Sequence, residues 1–146
     1  MMVVHNSVNV NYVCGLLFSA DRKRLVLLKS MPDEVSTGRW DAPRDRLKPG
    51  EHQHQAVSRA FLEKTGVMIE VWEPFMSLTD KGCLVWYYRA FSDKDIMRVK
   101  SLTAEPLGVV GLTDAGLAKI VGLAPSLRWI VPMALEGRKE QYTVES

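Results

Sequence analysis

The chain has 146 residues, long enough for one domain with a proper core, and 47% hydrophobic against 25% charged residues is the composition of ordinary globular material. Its 19 basic and 17 acidic side chains leave a net charge of +2, so no overall field calls for a nucleic-acid polymer or an acidic membrane as partner. The longest apolar runs fall far short of a signal or membrane-spanning segment, and Cys14 and Cys83 stand alone without zinc-site spacing, so we expect a cytoplasmic protein, a single domain over residues 1–146, with its thiols in the core.

In chain order, "NYVCGLLFS" and "RLVLLK" are β-rich runs separated by the short polar stretch Ala20 to Lys23, which predicts an antiparallel hairpin. "SMPDEVSTGRW" holds Pro, Gly and small polar residues and reads as an exposed loop. Between Gln53 and Lys64, the apolar residues Ala56, Val57, Ala60 and Phe61 make one stripe at helical period, with Gly66 as the natural stop. "MIEVWEPFMSLT" and "CLVWYYRAF" then read as strands around a turn at Asp80-Lys81-Gly82, followed by a short strand "LGVVGL". Leu117, Ile120 and Val121 suggest a helix, and "APSLRWIVPMAL" a last one whose Pro132 implies a kink or a short element. The pattern is α/β, a mixed sheet flanked by helices.

One stretch carries a longer signal. In "RWDAPRDRLKPGEHQHQAVSRAFLEKTGV", Glu51 is followed after seven residues by Arg59, then by Phe61, Glu63 and Gly66-Val67, with Trp40 and Pro43 upstream. This spacing resembles the box of the Nudix superfamily, G-x5-E-x7-R-E-U-x-E-E-x-G-U, where U is a bulky aliphatic residue. The likeness in layout extends from Tyr12 to Leu135, since "TAEP" and "SLRWIVPMAL" look like the late strand and closing helix of phage and bacterial members. The resemblance implies a Nudix fold, an α/β/α sandwich. It also implies descent from pyrophosphohydrolases of nucleoside diphosphates linked to another moiety, whose box carboxylates hold Mg²⁺ or Mn²⁺.

The chemistry departs where the spacing agrees. The glutamate expected after Arg59 is Ala60, the second of the closing pair is Lys64, and the two glycines before the box are Arg44 and Asp45. Positions 60, 63 and 64 share a helical face, which in a working box would cluster hard oxygen donors around a dication that polarises a phosphoryl oxygen. Two unit charges 4 Å apart are worth about 4 kcal/mol at an effective dielectric of 20, so Lys64 beside a dication turns roughly 8 kcal/mol of attraction into repulsion before screening. We therefore expect hydrolysis to be weak, altered or lost, with Mg²⁺ or Mn²⁺ if active and no cofactor otherwise.

If activity survives, the resemblance implies Glu63 and Glu51 as metal ligands, with Glu51 or Glu105 supporting catalysis, because many members add an acidic residue beyond the box. The competing class is a non-catalytic nucleotide-binding or interaction module. In it, Lys64 and the loop residues Arg44, Arg46 and Lys48 bind phosphate directly. Against both stands the plainer reading that Lys64 is solvated, that Arg59 only braces the helix through Glu63 at i, i+4, and that Glu51 caps the helix start. With Arg59 in the basic set, the aromatic candidates for stacking a base are Trp86 and Tyr88, which a period of two puts on one face, opposite Tyr87. His52 and His54 point to different faces and read as solvent-facing first-turn residues. The expected ligand is a small nucleotide-type molecule with a diphosphate. The last apolar segment is either a packing helix or a homodimer contact.

Overall fold

The structure, a computed structural model, describes residues 10–30, 38–80, 82–112, 117–136 and 142–145. Most of the loop expected over 30–40, and Lys81 of the expected turn, lie outside these residues.

Strand β1 (Val10–Phe18) alternates strictly: Val13 and Leu17 face one side of the sheet, Cys14, Leu16 and Phe18 the other, all fully buried. β2 (Arg24–Lys29) follows after a turn in which Arg22 is left-handed and the Ser19 hydroxyl accepts the Arg24 amide. The two strands form the expected antiparallel pair, yet they share a single register pair, Phe18 with Leu25. Beyond it they diverge. β1 is taken by β4 (Arg44–Arg46) on that side and by β6 (Cys83–Phe91) in parallel on the other, whereas β2 pairs with β3 (Trp40–Asp41) and β7 (Leu107–Gly111). β5 (Glu73–Asp80) and β8 (Tyr142–Glu145) complete a mixed eight-stranded sheet, in the order β3-β2-β1-β6-β5-β8 with β4 and β7 branching from β1 and β2.

Helix α1 (Gln53–Thr65) lays Ala56, Val57, Ala60 and Phe61 on one face of the sheet, against Val13, Leu17, Val26 and Tyr88. It begins at a cap the sequence reading gave to Glu51. His52 is the N-cap instead, its Nδ1 accepting the His54 amide while the Gln55 side chain accepts the His52 amide. It ends at Gly66, left-handed as the stop required. The short α2 (Asp93–Ile96) adds Ile96 to the same cluster.

The opposite face is covered by α3 (Leu127–Ala134), whose buried residues Leu127, Ile130, Val131 and Ala134 fall at i, i+3, i+4 and i+7. Pro132 stands inside α3, and the carboxyl end of the helix is held by two arginines. Buried Arg89 donates to the Ala134 carbonyl at 2.8 Å and to Glu73 at 2.6 Å, and Arg22 donates to the Leu135 carbonyl at 2.6 Å. Positive charge at a helix C-terminus meets the free carbonyls of the last turn. The last segment thus works as a packing helix.

Two expected elements are shorter than their apolar patterns suggested. The strand read from Met68 begins only at Glu73, because Ile69 and Trp72 are buried as irregular chain under α1; apolar residues here signalled burial and not extension. Leu117–Lys119 is one 3-10 turn, and Val121 is 89% exposed just before a left-handed Gly122, so among the described residues the helix does not continue past this turn.

Gly15 in β1 leaves no room for a side chain beneath Trp72 and α1: a Cβ there would lie 2.8 Å from Trp72 Cη2 and 3.1 Å from Val57 Cγ2. Gly15→Ala should destabilise the fold by about 1–3 kcal/mol by overpacking. Gly82→Ala meets no neighbour but adopts a strained φ of 80°, and should cost only about 1 kcal/mol. Urea denaturation of both variants tests the ranking, and equal midpoints for Gly15→Ala and the parent would refute the contact.

Candidate functional site

The acidic side chains of the box converge on Arg59. Its Nε donates to Glu51 Oε2 at 2.7 Å and its Nη2 to Glu51 Oε1 at 3.0 Å, a bidentate fork. Nη1 donates to Asp45 at 2.9 Å and to Glu63 at 2.7 Å, and Nη2 also reaches the Arg46 carbonyl at 2.9 Å. Arg59 does pair with Glu63 at i, i+4, but that is one contact of five. The guanidinium holds Glu51 and Asp45 below the usual carboxylate range, chiefly by hydrogen bonding for Glu51, and against the opposing effect of burial for Asp45. Glu51 additionally accepts the Lys48 amide at 2.9 Å.

The same network accounts for Arg44 and Asp45, which stand where the box that the sequence resembles has glycines. Arg44 and Asp45 need no special backbone, because they lie in β4 in register with Cys14 and Val13. Asp45 then points to Arg59, and Arg44 donates to Asp41 at 3.2 Å while its guanidinium lies 5.1 Å over the Tyr12 ring. Arg46 sits over the same ring at 6.0 Å.

The divergence of β1 from β2 leaves a cavity of about 810 Å³, ample for a nucleotide-sized ligand. Its charged lining is Arg39, Asp41, Arg44, Lys64 and Glu105, and its aromatic walls are Tyr12, Tyr87 and Trp129. Lys64 and Glu105, predicted from opposite readings of the sequence, form an ion pair at 3.6 Å. At the cavity wall, burial pushes the Asp41 carboxyl up in spite of Arg44 beside it, and burial likewise raises the Tyr87 phenol and, in the core behind, the Cys14 thiol, both of which stay protonated at neutral pH.

Of the residues singled out from the sequence, the structure therefore brings Arg44, Lys64 and Glu105 to the cavity, and gathers Glu51, Glu63 and Arg59 into a separate network. Arg46 and Lys48 flank that network and do not line the cavity. Trp86 and Tyr88 do not line it either; they face α1, where Tyr88 is 4% exposed and meets the His54 ring edge-on at 5.6 Å. The aromatic on the cavity side is Tyr87. Period two separated the faces correctly, but only the position of α1 decides which face is covered. Asp41, Arg39, Tyr12 and Trp129 were missed. An exposed tryptophan on an otherwise amphipathic final helix was the one available signal, and Trp129 is 38% exposed.

A divalent metal does not suit these donors. Glu51, Glu63 and Asp45 are committed to one guanidinium, position 64 carries an ammonium paired with Glu105, and Ala60 is buried in the α1 cluster. Among the described residues no three of His, Cys, Asp and Glu stand close enough to enclose an ion.

No family model and no curated protein matches the sequence. The fold, however, is that of MutT proteins. A MutT structure from work on Aliivibrio salmonicida and Vibrio cholerae is similar with a TM-score of 0.71 at 19% identity, covering 86% of this chain and 96% of that one. A mutator MutT protein from Bacillus halodurans gives 0.69 at 18%, covering 94% and 90%, and a MutT protein from Methanosarcina mazei 0.69 at 17%, covering 88% and 94%. At such identities the likeness establishes the Nudix fold. Among the described residues no helix is long and apolar enough to cross a membrane.

Removing the guanidinium tests the network. Arg59→Met should lower stability by about 2 kcal/mol at neutral pH, between the values of exposed and buried ion pairs, since the side chain is 18% exposed. Because Glu51 and Asp45 have depressed folded-state pKa values, their contribution is complete above the ordinary carboxylate range and is lost as pH falls through it. The difference between parent and variant should therefore shrink as pH falls below about 5, toward the lowered folded-state values; a difference constant with pH would contradict the assignment.

Proposed function

We propose that this Nudix-fold protein binds a nucleotide-type small molecule through its phosphates and has weak or no metal-dependent pyrophosphohydrolase activity. The observation that carries the reading is the distribution of charge: the acidic side chains of the box are held by Arg59, while the cavity is lined by three cations, Arg39, Arg44 and Lys64, against two carboxylates, Asp41 and Glu105. Lysine and arginine can meet phosphate oxygens directly, as a point charge and as a planar fork. The aromatic walls Tyr12 and Trp129 supply a surface for a base. Nucleotide chemistry as the ligand class rests on the motif's resemblance and on the shared fold, and the site itself argues for the mode of binding.

The test pairs binding with turnover. Calorimetric titration of ADP in the presence of EDTA should show binding that Lys64→Met weakens, and release of phosphate or pyrophosphate from nucleoside triphosphates and linked diphosphates with Mg²⁺ or Mn²⁺ should stay at background. Metal-dependent release that disappears in Glu63→Gln would overturn the reading and make the protein a hydrolase with a reduced carboxylate set. A rescue variant should carry Lys64→Glu alone, because Ala60 is 2% exposed and a glutamate there would place a carboxylate among apolar side chains.

A further inference from the structure

Two of the cations lining the cavity come with a resident carboxylate, and the two pairs differ in kind. Asp41 is fixed: Oδ1 accepts its neighbour's amide at 2.8 Å, Oδ2 accepts from Arg44 at 3.2 Å, and its side chain is 19% exposed. The Lys64–Glu105 pair is looser. At 3.6 Å the ammonium and carboxylate attract without the short contact of a charge-assisted hydrogen bond, and both side chains keep about a quarter of their surface open, 24% and 23%.

The backbone that carries Glu105 nevertheless cannot drift from Lys64. The Leu102 amide donates to the Lys64 carbonyl at 3.0 Å and the Lys100 amide to the Thr65 carbonyl at 3.1 Å, so the connection is tied to the last turn of α1. The Ser101 hydroxyl donates to the Glu105 carbonyl, and the Glu105 amide donates to Thr103 Oγ1 at 3.1 Å. A negative charge is thus stationed opposite the lysine by a turn built for that position, while the contact between the charged atoms themselves is poor.

We propose that Glu105 is a displaceable internal counter-ion that sets the threshold for anion entry. A ligand phosphate binds by taking Lys64 from Glu105, replacing the 3.6 Å pair with a shorter contact, and Glu105 discriminates against anions too weakly charged to make that exchange. This rests on the reading of the cavity as a phosphate site.

The experiment is a double-mutant cycle by calorimetric titration of inorganic pyrophosphate, and separately of ADP, in EDTA, on the parent, Glu105→Gln, Lys64→Gln and the combination. Glu105→Gln should bind about threefold more tightly, the scale of one part-exposed ion pair, and Lys64→Gln at least about tenfold more weakly. In the Lys64→Gln background the gain from Glu105→Gln should shrink, because there is no lysine left to release. Glu105→Ala should also tighten binding, separating charge from side-chain shape, and melting temperatures report whether each variant folds. Unchanged or weaker binding by Glu105→Gln, or a gain of equal size with and without Lys64, would overturn the counter-ion role while leaving the phosphate site standing. Failure of both the parent and Glu105→Gln to bind either probe would remove the phosphate site, and the counter-ion role with it.

Discussion

The guanidinium of Arg59 is the constraint on which the site depends. Placed on α1, it reaches Glu51 before the helix, Asp45 and the Arg46 carbonyl on β4, and Glu63 one turn further along, so a single planar cation ties helix, connection and strand together. A charge with this many partners, largely shielded from water, keeps its position because each bond restrains the same rigid plane. Once it is set, β4 is pinned between β1 and α1, and Arg44 at the head of β4 is aimed the other way, toward Asp41 and the Tyr12 ring.

That constraint also redirects the chemistry of the motif. Glu51, Asp45 and Glu63 neutralise an internal cation, and Ala60 and Lys64, which stand where the resembling box has glutamates, serve the fold and the cavity in different ways. Ala60 fills the interface between α1 and the sheet, whereas Lys64 lies in the cavity opposite Glu105. Replacement of glycines by Arg44 and Asp45 fits the same logic, since an extended strand in register with β1 needs no positive φ and gains two side chains that the ion pairs use.

The cavity itself follows from the sheet. β1 and β2 meet once and separate, each finding other partners, and the gap between them collects residues from β1, β3, β4, β6, α1 and the start of α3. Its far wall is steadied by α3, whose apolar stripe lies on the sheet and whose carboxyl end is clamped by Arg89 and Arg22. Arg89 is a buried charge with a carboxylate partner and aromatic rings at 5.8 and 5.9 Å, so its burial is compensated.

Local pattern was enough for the elements whose signals are local: the first hairpin, the stripe and glycine stop of α1, the alternation in β6, and the spacing of the box that led to the fold. It failed where one signal has two causes. Burial of Ile69 and Trp72 looked like a strand, and the two faces of β6 were separable while the side bearing the cavity was not, because that depends on where α1 lies. The sequence by itself determined that Ala60 and Lys64 stand where the box it resembles has glutamates. Only the tertiary structure decided that Glu51, Asp45 and Glu63 answer to Arg59, that Lys64 faces Glu105, and that Tyr87 rather than Trp86 or Tyr88 lines the cavity, since a charge acts on whatever the fold brings within a few ångströms of it and chain order does not contain that distance.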